Sequence, residues 1–585
     1  MELSDLVKSI LSKRGIGGEG IPAFLNPDYE VHTHAPELFH DMDVAVSRLL
    51  SAIAKGERVA VYADFDCDGI PGAALFSDFF QKIGYENFEV YLPHRDREGY
   101  GFHTEAIAQL AARGVKLIIT VDVGTTAVEA VQFAKTKEVD VIVTDHHEIL
   151  GELPDAVAVL NPKLVPTEAS GIAPYPFPHL CGAATAFKLV QATLHEGKKR
   201  GIESFTSIPD GWEKWLLDLV AIATVADMVE LTGENRVLVR FGLQVLHKTP
   251  RPGLNALFTR LRLRKSELTE DDIGFSIAPR VNAASRMDAP DLALKLLTTK
   301  DRDEAELLAA KLEELNASRK GVVGGIVREA RKRVKGRFTK DDTVVVLGDP
   351  DWKPALLGLA ANSIMGDRGG VVCMWGRDAN GRIKGSCRSD GSMSVVELFT
   401  EAADAFEEYG GHAASGGFSV SAEKVHTLQE VLTKAALALK QKTVSDTSGQ
   451  HDPSRLGGRA EADLSRQSEA KADALVTLRE VALPLFRDIQ TLSPFGVGNP
   501  KPVFCIRNVR VRSTKTFGKE KNHIELNLVC MNTGTEARAF DFFRRAEDFS
   551  YLPTAESETR ILATIERDTY RGGLALRLVD VLPAA

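Results

Sequence analysis

The sequence predicts an α/β protein: a parallel-sheet domain joined by a long helix to a smaller α/β domain, followed by a C-terminal β-barrel resembling an OB-fold. Three observations predict it. Short apolar runs alternate with amphipathic stretches between Arg58 and Leu160, the pattern of βαβ units. A second alternation of the same kind begins at Thr343. Five β-rich runs then crowd into positions 502–582, as in a small barrel.

Taken in order, Met1–Arg14 is amphipathic and lacks the apolar run and cleavage site of a signal peptide. Arg58–Ala63, Phe88–Leu92, Leu117–Val121, Val139–Thr144 and Ala156–Leu160 read as strands, with helices over His103–Arg113 and Ala127–Thr136 between them. Gly182–Leu194 and Trp212–Asp227 read as buried helices. A long helix is expected from Asp301 to about Val334, weakened in its middle by Gly321, Gly324 and Gly325. Strand Thr343–Leu347, helix Ala355–Met365, strand Gly370–Trp375 and a strand ending near Ser386 follow. Gln441–Ala470 has no aromatic side chain and reads as a linker or disordered insertion. The barrel strands are Pro502–Ser513, His523–Cys530, Glu536–Asp541, Arg560–Ile565 and Ala575–Leu582. The expected division is an N-terminal segment over 1–50, a parallel-sheet domain over 51–300 and a connecting helix over 301–340. A second α/β domain over 341–440, the insertion over 441–470 and the barrel over 471–585 complete it.

Composition sets the class. The 585 residues are 44% hydrophobic and 26% charged, ordinary for a soluble protein of several domains. The six cysteines lie far apart with no CxxC pair, which excludes a disulfide scaffold and a cysteine zinc site and suits a reducing cytoplasm. No run approaches the roughly 20 apolar residues of a membrane span. The net charge of −9 argues on its face against a nucleic-acid partner. That total averages opposed regions. Nine Lys or Arg face one Glu between Asn316 and Lys340, six face one between Arg507 and Lys521, and Arg260, Arg262, Arg264 and Lys265 form a third run. An acidic total therefore does not exclude nucleic acid.

The chemistry concentrates at strand ends. Asp64, Asp66 and Asp68 follow the first strand at alternate positions, and carboxylates so placed repel one another unless cations or protons compensate. An EF-hand loop is excluded: its twelfth position would be Leu75, and a strand leads in. Asp122 follows the third strand, and Asp145, His146 and His147 follow the fourth. In an open parallel sheet these ends meet at one edge, where ligands bind. Asp227 closes an apolar helix, where an unpaired carboxylate would be costly. Carboxylates with one or two imidazoles and no thiolate suit Mn²⁺ or Mg²⁺. The number of carboxylates suits two ions working on a phosphoryl group.

In order, Asp64-Phe-Asp-Cys-Asp-Gly69, Val121-Asp-Val-Gly-Thr-Thr126, Thr144-Asp-His-His-Glu148 and Ala223-Thr-Val-Ala-Asp-Met-Val229 resemble the four motifs of the DHH phosphoesterase superfamily. Arg95…Glu98-Gly-Tyr-Gly101, Leu180-Cys-Gly-Ala-Ala184, Gly233-Glu-Asn-Arg236, Ala278-Pro-Arg-Val-Asn-Ala-Ala-Ser-Arg286, Lys384-Gly-Ser-Cys-Arg-Ser389, Gly410-Gly-His412 and Ser493-Pro-Phe-Gly-Val-Gly-Asn-Pro500 are similar to its bacterial RecJ exonuclease branch. The similarity runs from about Arg14 to the C-terminus and includes DHHA1 and OB-like domains. It implies a metal-dependent, single-strand-specific 5′→3′ DNA exonuclease that releases 5′-mononucleotides in recombination and repair. By position, Asp66, Asp122 and Asp64 would hold one ion; Asp68, His146 and Asp227 would hold the other, with Asp122 bridging. His147 would sit beside the scissile phosphate, and Asp145 would orient the histidine pair. Ser386, Arg388, Ser389, Gly411 and His412 would grip a nucleotide, with Arg95, Arg280, Asn282 and Arg286 as further phosphate contacts. Arg286 would equally suit a buried ion pair. Single-strand-binding protein and a helicase are the partners the family implies, for a monomeric enzyme. Two rival readings stay within reach of the motifs: a phosphoesterase for short oligonucleotides or cyclic dinucleotides, and an inactive DNA-binding scaffold.

Overall fold

The computed structural model describes residues 4–149, 151–165, 173–339, 341–447, 472–518, 521–568 and 571–584. The chain forms two compact units that do not follow chain order. One comprises His34–Val229 and Phe241–His451, the other Met1–Thr33, Glu230–Arg240 and Asp452–Ala585.

In the larger unit β1 (Arg58–Ala63), β2 (Phe88–Tyr91), β3 (Val115–Val121), β4 (Asp140–Thr144) and β5 (Ala158–Leu160) form one sheet in the order β2-β1-β3-β4-β5. Every pairing is parallel. The continuous burial of Val59–Ala63 in β1 and Leu117–Val121 in β3 follows from this, since both faces are covered. Strand order reverses between β1 and β3, so a crevice opens beyond the ends of these two strands. Asp64 and Asp122 are the next residues after them.

The long helix runs unbroken over Arg302–Arg337, 36 residues, with Asp301 accepting the Glu304 N–H at its start. The three glycines cost propensity but do not interrupt it. Packing on both sides of them compensates: Ala305, Leu308, Ala309 and Leu312 are buried before, and Ile326, Val327 and Ala330 pack against Leu356 and Leu357 after.

The second sheet contains β6 (Val344–Gly348), β7 (Val371–Arg377), β8 (Ile383–Ser389), β9 (Glu408–Gly411) and β10 (Ser415–Val420), in the order β6-β7-β8-β10-β9. The β9–β10 hairpin adds two strands to those read from the sequence. Gly411 ends β9 with φ 144°, and a Cβ there would lie 2.3 Å from the Ser415 carbonyl oxygen. Only glycine permits that approach. The final helix of this unit spans Leu428–Thr447, so it covers the first residues of the insertion expected from Gln441. Residues 448–470 of that insertion lie outside the described residues.

In the smaller unit β11 (Ala474–Val476), β12 (Phe504–Phe517), β13 (His523–Cys530), β14 (Glu536–Asp541), β15 (Glu558–Arg567) and β16 (Leu574–Pro583) make one sheet. The long β12 pairs with both β13 and β15, which closes five strands into the barrel. Val7, Ile10 and Leu11 of the helix Asp5–Lys13 pack into the same core as Ile506, Val511 and Leu526. Arg236 is buried here. It donates to the carbonyls of Phe24, Ser493 and Pro494 at 2.9, 2.7 and 3.1 Å, so its motif is architectural. Among the described residues no helix is long and apolar enough to cross a membrane.

Candidate metal centre and substrate cleft

Three strand ends and two helices bring the acidic residues together. Asp64 leaves β1 with its N–H on the Val121 carbonyl, which ties the first motif to the end of β3. Asp68 is held by the first turn of the helix Gly182–Lys199: its two oxygens accept the Gly182 and Ala183 N–H groups at 2.6 and 2.8 Å. Asp66 accepts the Asp68 N–H at 2.8 Å. Asp122 takes the left-handed conformation, φ 61°, and the Gly182 backbone passes so close that a Cβ there would stand 2.6 Å from the Asp122 Cβ. Aspartate is among the side chains that adopt this region most readily, and the conformation turns the chain sharply at the end of β3.

The histidines complete the group. His146 Nε2 lies 3.1 Å from Asp122 Oδ1 and 3.6 Å from both Asp68 Oδ2 and Asp227 Oδ2. His147 Nδ1 is 2.7 Å from Asp145 Oδ1 and 3.1 Å from the Tyr100 hydroxyl. Asp145 also accepts the Thr125 and His146 N–H groups at 2.9 and 2.7 Å, so both its oxygens are engaged.

Electrostatics separate these roles. Burial, and then the neighbouring carboxylates, push Asp64 and Asp122 well above the usual carboxylate range, Asp68 up to about 6 and Asp227 up to about 9. Burial and the charge of His147 pull His146 down to about 3, which leaves a neutral ring with a lone pair for a metal. Burial alone would lower His147 too, but its hydrogen bond and charge pairing with Asp145 outweigh this and raise it to about 9. The same pairing outweighs burial at Asp145 and holds it below the carboxylate range.

The donor set fits divalent cations. Asp64, Asp66 and Asp122 offer ligand atoms within 4.8 Å of one another, as do Asp68, His146 and Asp227. Asp64 Oδ1 and Asp122 Oδ1 are buried without a hydrogen bond. Buried carboxylate oxygens are costly in that state, and hard cations take such ligands.

A cationic surface faces this group. Arg286 is pulled down to about 9 by burial and by Arg95 and Arg319, with Asp66 opposing and Arg388 adding to the fall. These guanidiniums therefore share one neighbourhood with Asp66. Arg286 meets the carbonyl of Ala355 at 2.8 Å and forms no ion pair among the described residues, contrary to the alternative its sequence context allowed. Arg95 stacks over Phe65 at 4.8 Å. Arg388 and Ser386 lie against Gly358, where a Cβ would come within 2.6 Å of the guanidinium. A cleft of about 860 Å³ opens here, lined by Phe65, Arg95, Tyr100, Pro354, Lys384 and Tyr409.

Other expected contacts are otherwise engaged. Arg280 is paired with Glu313 at 2.8 Å. Asn282 accepts the Cys67 N–H at 3.0 Å and so braces the first acidic motif. Ser389 donates to the Met393 carbonyl at 2.6 Å, which makes it a turn residue and leaves Ser386 as the hydroxyl beside Arg388. His412 is exposed beyond β9. Sequence reasoning does not single out Tyr100 or Arg319. Tyr100 sits inside the Arg95…Gly101 motif, and Arg319 opens the basic run on the long helix.

Comparison with known proteins matches three family models: the DHH family N-terminal domain over residues 58–224, the DHHA1 domain over 341–438 and the RecJ OB domain over 472–579. The single-stranded-DNA-specific exonuclease RecJ of Salmonella typhimurium is 31% identical over 552 residues, which cover 93% of this chain and 90% of that protein. The RecJ of Bacillus subtilis is 32% identical over 530 residues, 90% of this chain but only 62% of that longer protein. The crystal structure of Thermus thermophilus RecJ in complex with Mn²⁺ superposes with a TM-score of 0.73 at 24% identity, over 100% of this chain and 76% of that one. A second structure, exonuclease RecJ bound to manganese, gives 0.58 at 28% identity, over 69% of this chain and 96% of that one.

Proposed function

Since the chain belongs to the RecJ family of single-stranded-DNA-specific exonucleases, we propose that it hydrolyses phosphodiester bonds of single-stranded DNA from the 5′ end and releases 5′-mononucleotides. The observation that carries this is the pairing of two surfaces: buried carboxylates without a lysine or arginine partner, and beside them half-buried guanidiniums without a carboxylate in an ion pair among the described residues. A phosphodiester with its divalent cations satisfies both.

Asp64, Asp66 and Asp122 would hold one ion, and Asp68, His146 and Asp227 the other, with Asp122 shared. Two divalent ions so held, Mn²⁺ or Mg²⁺, supply an activated water and offset charge on the phosphoryl oxygens. The chain's own residues do the rest. Asp145 holds His147 as the imidazolium, with Nδ1–H on its carboxylate, so Nε2–H is left to donate to a non-bridging oxygen of the scissile phosphate. Arg388, Arg286, Arg95 and Arg319 would hold backbone phosphates through their guanidinium N–H groups.

The barrel would favour long strands over dinucleotides. Phe517, His523, Phe540, Phe542 and Phe543 adjoin one another at centroid distances of 4.8–5.9 Å, and the Arg577 guanidinium lies 4.5 Å over Phe542. Phe543 is 77% exposed and has a positive φ of 59°, an unfavourable conformation for a bulky residue. An exposed aromatic group with arginines suits the stacking of unpaired bases. The same reading includes action in recombination and repair, as a cytoplasmic monomer working beside single-strand-binding protein and a helicase.

The test is digestion of a 5′- or 3′-labelled single strand beside its duplex, with Mn²⁺ and Mg²⁺ compared. Mononucleotide release from the 5′ end of the single strand alone is the expected result. Cleavage confined to dinucleotides would overturn it in favour of a small-substrate phosphoesterase.

A further inference from the structure

Cys373 on β7 and Cys387 on β8 stand directly opposite each other in the antiparallel register. Their sulfurs are 2.9 Å apart and both side chains are fully buried. That separation is well inside the ordinary contact distance of two sulfur atoms and about an ångström beyond a covalent S–S bond. Facing cysteines on paired strands need little backbone movement to join. Both side chains belong to the core formed with Val395, Leu398, Phe399 and Phe418. The next residue of β8, Arg388, points to the other face of the sheet, against Gly358, and its Nη1 donates to the Cys387 carbonyl at 2.7 Å.

We propose that Cys373 and Cys387 are a reversible oxidation site, whose disulfide staples β7 to β8 and fixes the strand segment that presents Arg388. The oxidant class is a peroxide. The sulfur of one cysteine attacks a peroxide oxygen, the O–O bond breaks, and a sulfenic acid and water result. The second sulfur then displaces the sulfenic oxygen: the S–S bond forms, the S–O bond breaks, and a second water leaves. Two thiols give up two electrons and two protons, and hydrogen peroxide becomes two waters. Burial raises the Cys373 thiol well above its ordinary range, so attack waits on local opening of the sheet. The bond is independent of any role for Arg388; only its effect on substrate rests on the function proposed above.

The experiment exposes the full-length protein to hydrogen peroxide, with and without sub-denaturing urea, blocks free thiols and digests without reduction. The expected product is a peptide pair joined through Cys373 and Cys387, lighter by two hydrogens and separated by dithiothreitol, formed faster in urea. Oxidation raises the Tm by several degrees in the wild type and not in Cys373→Ala. Blocked thiols at both positions after treatment in urea, or oxidation of each cysteine singly to sulfinic acid, would overturn the proposal. With the bond formed, the KM for single-stranded DNA falls by about twofold at unchanged kcat, as expected of a preorganised contact. An unchanged KM removes the coupling to Arg388, and a reduced protein without nuclease activity removes the function; neither removes the bond.

Discussion

Two groups of buried carboxylates lie in the same unit and are treated in opposite ways. Asp218, 1% exposed, meets Arg251 Nε and Nη2 at 2.8 and 3.2 Å and accepts the Thr249 hydroxyl at 2.8 Å. Asp78 bonds the same guanidinium and also Lys300. Burial would lower Arg251, yet its two carboxylates outweigh this and raise it. In the acidic cluster Asp64, Asp68, Asp122 and Asp227 have no lysine or arginine partner in an ion pair among the described residues. The first group is closed by the chain itself and is architectural. The second is open, and its missing charge is the imprint of what it binds. A buried acid with its counter-charge in place holds a fold; one without it is held by a fold for something else.

The largest break in this comparison is Asp122→Asn. Asparagine tolerates the left-handed backbone at this position but offers a neutral amide in place of the carboxylate proposed to be shared between the ions. Mn²⁺-dependent nuclease activity falls by about a thousandfold or more, the range for loss of a central electrostatic group. Meanwhile the metal-free protein melts higher than wild type near neutral pH, because folding no longer has to bury an acid among like acids that raise its pKa. Rate assays and calorimetry on the same preparation check both halves; a variant with full activity would dismiss the shared-ligand assignment.

Asp218→Asn is the mirror experiment. It leaves Arg251 buried and short of a counter-charge, at a cost of about 3 kcal/mol. Stability falls and the specific activity of the folded fraction does not. An Asp218→Asn protein that kept its stability but lost specific activity would erase the division between the two groups.

Adding the missing charge sharpens the contrast further. Mn²⁺ at a hundred times its dissociation constant stabilises the wild type by about 2.7 kcal/mol, seen as a higher Tm that a chelator reverses. The shift persists in Asp218→Asn and is lost in Asp122→Asn. Equal shifts in all three proteins would mean that the ion binds elsewhere.

How much of this was legible in the sequence follows from how local each feature is. The acidic motifs could be read because each ends an apolar strand run, and parallel strands bring their ends together. The β9–β10 hairpin could not: Glu408–Gly411 and Ser415–Val420 contain four glycines, which carry no alternating side-chain pattern, and their pairing is tertiary. The arginines show the same limit. Arg280 and Arg286 share a short motif, but Glu313, which pairs with Arg280, comes from a different helix. Sequence alone offered the ion pair to the wrong one of the two. The charge group at Arg251 was unreadable for a related reason, since its members sit at positions 78, 218, 251 and 300 with no motif around any of them.

The smallest expected effect tests whether the barrel's exposed aromatics belong with the open group or the closed one. Phe543 covers no core, being 77% exposed, and it meets His523 edge-on at 4.8 Å. Its positive φ is unfavourable for phenylalanine, so replacement by glycine relieves strain while removing the ring. Phe543→Gly therefore melts at the wild-type temperature or slightly above it. If the ring stacks a base, affinity for long single strands drops by about five- to tenfold, near the low end of one stacking contact. Cleavage of a dinucleotide, which has no further bases to offer a second platform, is unchanged. Fluorescence anisotropy with long and short strands separates the outcomes: equal affinity for long strands would make the ring a surface accident. A conformation maintained against its own backbone preference, on a side chain that buries nothing, is the barrel's counterpart of the uncompensated carboxylates.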